Sequence, residues 1–176
     1  SVSIAKKRRS CLRRNAVRGE HRVMEGSSKE QSVTIRRAAE EDLDALADIY
    51  ASSMDGSPGD ERWSQGSARE FLRMWLQRQP SLFFVAEVSG QLVGGTVCDL
   101  KPYFDGPRIT DGEMFIAQTV RNLGVARALM CRQLDEAYYR FGVKTIESLA
   151  NGRSEVVMSW CATSAVPPMA TKRASM

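Results

Sequence analysis

A chain of 176 residues with 43% hydrophobic and 26% charged side chains is long enough for one well-buried domain and too short for two ordinary ones, and no apolar run approaches the roughly 20 residues that a bilayer requires. The net charge of +4 is uneven: residues 1–32 hold nine Lys or Arg against three Glu, which leaves 16 basic and 18 acidic side chains for the rest, so the part expected to fold is not basic. Cys11, Cys98, Cys131 and Cys161 form no C-x-x-C pair and so suggest neither a zinc site nor a disulfide framework but a reducing, cytoplasmic setting, while the only histidine, His21, lies in the leader and removes Ser-His and Cys-His machinery from the domain.

The first 32 residues, with KKRRS, LRR and GSSKEQS, lack sustained apolar periodicity and read as a disordered basic leader. Such a start has the composition of a targeting peptide, a nucleic-acid-binding arm or a plain solvated extension, and Met24 would serve as a natural start for the domain beyond it. Order is expected from Val33, where VTI alternates as a half-buried strand does. A helix over Glu40 to Met54 is expected from Leu43, Leu46, Ala47, Tyr50 and Met54 at helical spacing, with Glu40, Glu41 and Asp42 at its positive end. After the loop DGSPGDERWSQG, Ser67 and Glu70 form a capping box for a second helix that Pro80 closes.

LFFVAEV and QLVGGTVCDL read as two strands joined by the two-residue turn Ser89-Gly90. KPYFDGPRITD is a loop, EMFIAQTV a fourth strand, and Val125 to Phe141 a helix with the stripe Ala126, Met130, Leu134, Ala137 and Phe141, ended by Gly142. VKTIESLA is a last strand and SEVVMSW a last short helix. The order is β-α-α-β-β-β-α-β-α, an α/β domain over residues 33–161 followed by a disordered or atypical tail at 162–176.

Between the fourth strand and the third helix, Arg121, Gly124 and Ala126 fit the pattern R/Q-x-x-G-x-G/A. The chemistry is anion binding, because a helix begins with unpaired N–H groups and a positive dipole end, and small residues let phosphates approach. Asn122 is a residue type that tolerates left-handed geometry, and Arg121 adds a cationic donor. Gln91, Gly94, Gly95 and Thr96 nearly match the same pattern but sit inside a hairpin strand and open no helix.

VTIRRAAEEDLDALADIY, FFVAEVSGQLVGGTV and above all MFIAQTVRNLGVARALM resemble, in this order, the opening strand and helix, the central hairpin and the signature strand, loop and helix of the GNAT superfamily of acetyl-CoA-dependent N-acetyltransferases, over residues 33–153. The resemblance implies a mixed, mostly antiparallel sheet flanked by helices and acetyl transfer from acetyl-CoA to a primary amine of a small molecule or protein. By the same resemblance, main-chain groups of Ile116 and Ala117 would hold the thioester and pantetheine arm. The N–H groups of Asn122, Leu123, Gly124, Val125 and Ala126 would hold the pyrophosphate, and Asn151 would touch the arm.

The reaction needs a neutral amine. A lysine-like amine is neutral in roughly one molecule in two thousand at pH 7 and an α-amine in about one in ten, so the former needs more help from a base. Glu113 and Asp111, on or beside the fourth strand, are the candidates, and an N–H at Ile116 or Ala117 would stabilise the oxyanion. After residue 153 the family pattern decays: Trp160 and Cys161 stand where a proton-donating tyrosine would fall, and the last two family strands are missing. Either the end of the chain is altered or a second chain, a homodimer in the simplest case, completes the sheet. Two rival readings remain: a non-catalytic acyl-CoA-binding module, and a nucleic-acid-associated protein acting through the leader, which the domain's own charge of −2 opposes. Loops 55–66 and 101–111 are expected to shape the acceptor site, whose amine no residue pattern names.

Overall fold

The computed structural model describes residues 2–3, 20–22, 32–55 and 62–147. Among the described residues, seven strands form one sheet: β1 (Val2–Ser3), β2 (Glu20–Arg22), β3 (Ser32–Arg37), β4 (Phe84–Val88), β5 (Gln91–Lys101), β6 (Arg108–Ile116) and β7 (Thr145–Ile146). Their spatial order is β1-β7-β6-β5-β4-β3-β2. Every neighbouring pair is antiparallel except β6 and β7, which are parallel. Helices α1 (Leu43–Met54), α2 (Gln65–Arg78) and α3 (Val125–Phe141) cover the sheet. This is the mixed α/β order expected from the residue pattern, with the mostly antiparallel sheet that the family resemblance implies. Among the described residues no helix is long and apolar enough to cross a membrane.

The apolar run 82–88 is continuous because both of its faces are covered. Phe84, Ala86 and Val88 point into a core with Val125, Leu129, Leu134 and Ala137 of α3. Phe83 and Val85 point the other way, into a core with Leu43, Leu46, Ala47 and Tyr50 of α1 and Ala68, Leu72 and Trp75 of α2. Burying a large apolar side chain in this way contributes roughly 1.5–3 kcal/mol, and the two cores hold β4 and β5 as the rigid middle of the sheet. Ser89 and Gly90 both have positive φ, 53° and 78°, which is the primed turn geometry that a two-residue hairpin requires.

Several expected boundaries move. Helix α2 starts at Gln65 rather than Ser67, because Ser64 is the cap: its hydroxyl accepts from the Ser67 N–H (3.1 Å) while the Ser67 hydroxyl accepts from the Ser64 N–H (3.0 Å). Strand β6 starts at Arg108, inside the expected loop, and ends at Ile116. Its extension comes from β5 running on to Lys101, with a register shift that steps over Thr110. Gln118–Val120 is a 3-10 turn and not strand. On α3 the buried positions are Val125, Ala128, Leu129, Cys131, Gln133, Leu134 and Ala137, so Ala126 and Met130 sit at the margin of the stripe instead of its centre.

Two short pieces of the expected leader are strands at the two edges of the sheet, Val2–Ser3 against β7 and Glu20–Arg22 against β3. Cys98 is a free, buried thiol, whereas Cys131 takes part in a disulfide that the cysteine spacing does not suggest. The last helix expected over SEVVMSW, and the residues 162–176, lie outside the described residues.

Candidate functional site

The chain leaves β6 through a short series of turns that presents main-chain donors. Arg121 donates its N–H to the Gln118 carbonyl (3.3 Å) and Leu123 donates to the Val120 carbonyl (3.4 Å). Asn122 and Gly124 then take left-handed geometry, φ 68° and 79°, and lift the backbone into α3. Left-handed geometry costs an ordinary L-residue about 1–2 kcal/mol, and Asn and Gly are the residues that adopt it most readily. Gly124 is the N-cap of α3 and accepts the first helical bond, from the Ala128 N–H (3.0 Å). The first N–H groups of the helix therefore precede the first intrahelical bond and point out of its positive end.

Asn122 and Gly124 are exposed and Ala126 is half-buried, whereas the Val125 side chain is buried and anchors the turn to the core. The Leu123 N–H is already engaged by Val120, which leaves it a poorer donor than its neighbours. The exposed Arg121 guanidinium lies 3.5 Å from the Ser53 carbonyl, near the end of α1.

Among the described residues, β6 meets β7 only at Arg108↔Thr145 and Ile109↔Ile146, with one further bond from the Glu147 N–H to the Ile109 carbonyl (2.7 Å). From there to Ile116, β6 has a strand partner only on its β5 side among the described residues. Ala117 donates its N–H to the Val93 carbonyl (2.8 Å) and its own carbonyl accepts from Val120 (3.2 Å). Alternation along a strand then turns the main-chain groups of Met114 and Ile116 away from β5. Of the two residues expected to hold an acyl arm, Ile116 turns its main-chain groups away from β5, while the Ala117 N–H is directed into the sheet. The near-match at Gly94 has a different explanation: a Cβ there would meet the Phe115 carbonyl at 2.4 Å, so the glycine serves strand packing.

Glu113 sits on the face of β6 covered by α1. It is half-buried, and the Tyr50 hydroxyl donates to its Oε2 at 3.4 Å. Asp111, two residues back on the same face, is exposed and accepts from the Gly112 N–H (2.9 Å). Opposite it on β5, the buried Asp99 is ion-paired with Arg78 of α2. Aromatic rings border this region, with Tyr50 packed against Trp63, Phe71 and Phe115 at centroid distances of 5.2, 5.5 and 5.1 Å. Trp63 belongs to the expected acceptor loop 55–66, of which residues 56–61 lie outside the described residues. Asn151, Trp160 and Cys161 also lie outside them.

Side-chain contacts that residue spacing does not show complete the site. Gln133, buried on α3, donates to the Leu82 carbonyl (3.0 Å) and faces the Thr96 hydroxyl (3.3 Å), which also contacts the Glu113 carbonyl (3.1 Å), tying α3 to the strand that carries the site. Arg36 grips the Asp42 carboxylate with two bonds of 2.7 Å and Glu87 with one of 2.8 Å, and Asp42 also accepts from the Ala39 N–H (2.8 Å). The Arg36 hydrogen bonds outweigh the burial of Asp42 and hold its carboxyl below the usual range. Tyr50 reads in the sequence only as one more apolar-stripe position; the signal that sets it apart is a hydroxyl on an otherwise apolar helix face.

The family model described as the acetyltransferase (GNAT) family matches residues 43–155. A curated relative from Archaeoglobus fulgidus, described as an uncharacterized N-acetyltransferase, is 28% identical over 109 residues, covering 60% of this chain and 74% of the relative. Among solved structures, a possible acetyltransferase from Clostridium difficile superposes with a TM-score of 0.67 at 11% identity, over 82% of this chain and 96% of that one. An aminoglycoside N-acetyltransferase in complex with CoA superposes with a TM-score of 0.59 at 16% identity, over 89% of this chain and 94% of that one.

Proposed function

Because the chain belongs to the GNAT acetyltransferase family, we propose that it transfers an acetyl group from acetyl-CoA to a primary amine of a small molecule or a protein. The observation that carries this reading is the helix start at Gly124, reached from β6 through the exposed, left-handed Asn122 and Gly124. The main-chain groups that β6 turns away from β5 would suit an extended amide-bearing arm, and a helix N-terminus reached through two left-handed, exposed residues suits a pyrophosphate. One structural relative is a CoA complex, which supports the same cosubstrate.

Acetyl-CoA, when bound, supplies an activated thioester carbonyl. Asn122, Gly124, Val125 and Ala126 would hold its phosphates through their N–H groups, with Arg121 adding charge at the rim. The main chain of Ile116, turned away from β5, would offer an N–H where the carbonyl oxygen gains charge. Glu113, half-buried on the neighbouring face, would take a proton from the acceptor's ammonium group, directly or through one water, so that the neutral amine attacks. Asp111, exposed beside it, would draw a cationic amine toward the site. The same reading has the protein working in the cytoplasm, on an amine rather than on nucleic acid, with a second copy of the chain as the candidate partner.

Calorimetric titration with acetyl-CoA, followed by thiol release in the presence of spermidine, L-lysine, kanamycin and a peptide with a free N-terminus, tests the reading. Binding with turnover of at least one amine is the expected result. Glu113→Gln should lower kcat about 100-fold with acetyl-CoA affinity unchanged. Absence of binding by the parent protein would overturn the reading, and binding without turnover of any amine would favour the non-catalytic module.

A further inference from the structure

We propose that Tyr50 is the positioning residue for the Glu113 carboxylate: from the far side of the core it fixes the orientation of the group that receives the acceptor's proton. The proposal rests on the reading of Glu113 as that base and names a residue which acts only through it.

Tyr50 is 2% exposed, at a position of α1 where packing alone would be satisfied by phenylalanine. Its ring is held on three sides, edge-on to Trp63 and Phe115 and tilted against Phe71. Rings packed at these distances leave the phenol little freedom of tilt, so the place of its hydroxyl is fixed by the core. That hydroxyl needs a partner in so buried a setting, and it donates to Glu113 Oε2 at 3.4 Å, across 63 residues of chain. Phe115, which packs against the ring, and Glu113, which takes the hydrogen bond, are two residues apart on one face of β6. The tyrosine thus clamps the strand at one residue and its carboxylate at another.

Among the described residues, the charged and titratable groups around Glu113 come from each neighbouring element. They are Asp111 on β6 itself, Asp99 on β5 with its Arg78 partner from α2, and Tyr50 from α1. Tyr50 and Glu113 each have interactions besides the one they share. Of these four groups, only the tyrosine donates a hydrogen bond to the Glu113 carboxylate. A donor to a carboxylate favours its ionised form, which is the form that works as a base. Removing the hydroxyl should therefore raise the pH at which Glu113 ionises and loosen its aim, without changing how acetyl-CoA binds.

The experiment is Tyr50→Phe in the full chain, which keeps the ring and its packing, compared with the parent and with Glu113→Gln. The Glu113 side-chain carboxyl is followed by carbon NMR through a pH titration, its resonance identified by its absence in Glu113→Gln. In parallel, kcat/KM is measured against pH with an amine that the parent acetylates. The expected result is a titration midpoint about 0.5–1 unit higher in Tyr50→Phe, an acid limb of kcat/KM displaced upward by the same interval, and kcat at pH 7 lowered about three- to tenfold, with acetyl-CoA affinity within twofold of the parent. A merely structural tyrosine would leave both midpoints in place. An unmoved titration in a folded Tyr50→Phe protein overturns the proposal even where Glu113→Gln is inactive. A Glu113→Gln protein with parental kcat overturns the base reading itself and the proposal with it.

Discussion

The two halves of the candidate site are built differently. The half proposed to hold the cofactor, Ile116 to Ala126, is made almost wholly of main chain over eleven consecutive residues, and its geometry is dictated locally by the left-handed Asn122 and Gly124 and by the start of α3. The acceptor half is made of side chains from different elements, Glu113 on β6, Tyr50 on α1 and Trp63 in the loop before α2, brought together only by the core beneath them. A main-chain site is set by backbone conformation, so it tolerates any side chains that permit the turn. A side-chain site depends on packing, so it changes with single residues in distant parts of the chain. The first is suited to a cosubstrate common to many enzymes and the second to an amine particular to one.

The strongest way to break this division is Gly124→Glu. At φ 79° the position penalises any L-residue with a β-carbon by about 1–2 kcal/mol, and a carboxylate there would stand at the mouth of the helix where the phosphates are proposed to lie. Acetyl-CoA affinity measured by calorimetry should fall roughly 100-fold or more, with the far-ultraviolet dichroism of the parent retained. Gly124→Asn, which accepts left-handed geometry and adds no charge, should lose less than about tenfold. Equal losses in the two variants would show that backbone shape, and not charge, governs the site. Undiminished binding in both would remove the helix start from the reading altogether.

Legibility divides along the same line. The span of α3, its start at Val125 and its stop at Gly142 are readable from periodicity and from two glycines, and the structure has φ 68° at Gly142 as a C-terminal cap requires. The hairpin at Ser89-Gly90 is readable because two-residue turns admit few residue types. The start of β6 is not. RITDGE carries three charged residues, a glycine and a bulge that hide its alternation, and only its pairing with the long β5 makes it a strand. The contact of Tyr50 with Glu113 is equally hidden, because 63 residues separate them and no local pattern records which strand lies under which helix face. Asp42 reads as a helix-dipole residue, and the structure adds its two-pronged bond with Arg36, six residues earlier on β3.

That pair offers a second and smaller test of the division. Asp42 is buried and fastens the entry to α1, the helix that carries Tyr50. Arg36 is about 39% exposed, so solvent screening discounts the pair, and Asp42→Asn should cost about 1–2 kcal/mol, a drop in Tm of several degrees. The carboxyl ionises below its ordinary range in the folded protein because Arg36 bonds its charged form. Its contribution is therefore fully present above the unfolded value near pH 4 and is lost as the pH falls through the lower folded value, so parent and variant should converge in stability below about pH 4. Because the loosened element lies on the acceptor side, kcat/KM for the amine should fall severalfold at neutral pH while acetyl-CoA affinity stays within about twofold. Equal loss on both sides would mean that the two halves are mechanically one.

Arg121 is where the halves touch, and the smallest effect is expected there. Its guanidinium is exposed on the cofactor turn yet reaches the Ser53 carbonyl near the end of α1 at 3.5 Å. An exposed cation beside a proposed phosphate site adds little in water, and its single long bond to a carbonyl adds less. Arg121→Gln should weaken acetyl-CoA binding about two- to fivefold at low salt, and the difference should close as ionic strength rises, since screening removes a charge effect while leaving main-chain hydrogen bonds in place. A loss that persists in high salt would mean that Arg121 acts by holding the turn against α1 instead of by its charge. In that case the amine KM should rise together with the acetyl-CoA Kd, and the cofactor turn would owe part of its shape to the acceptor side after all.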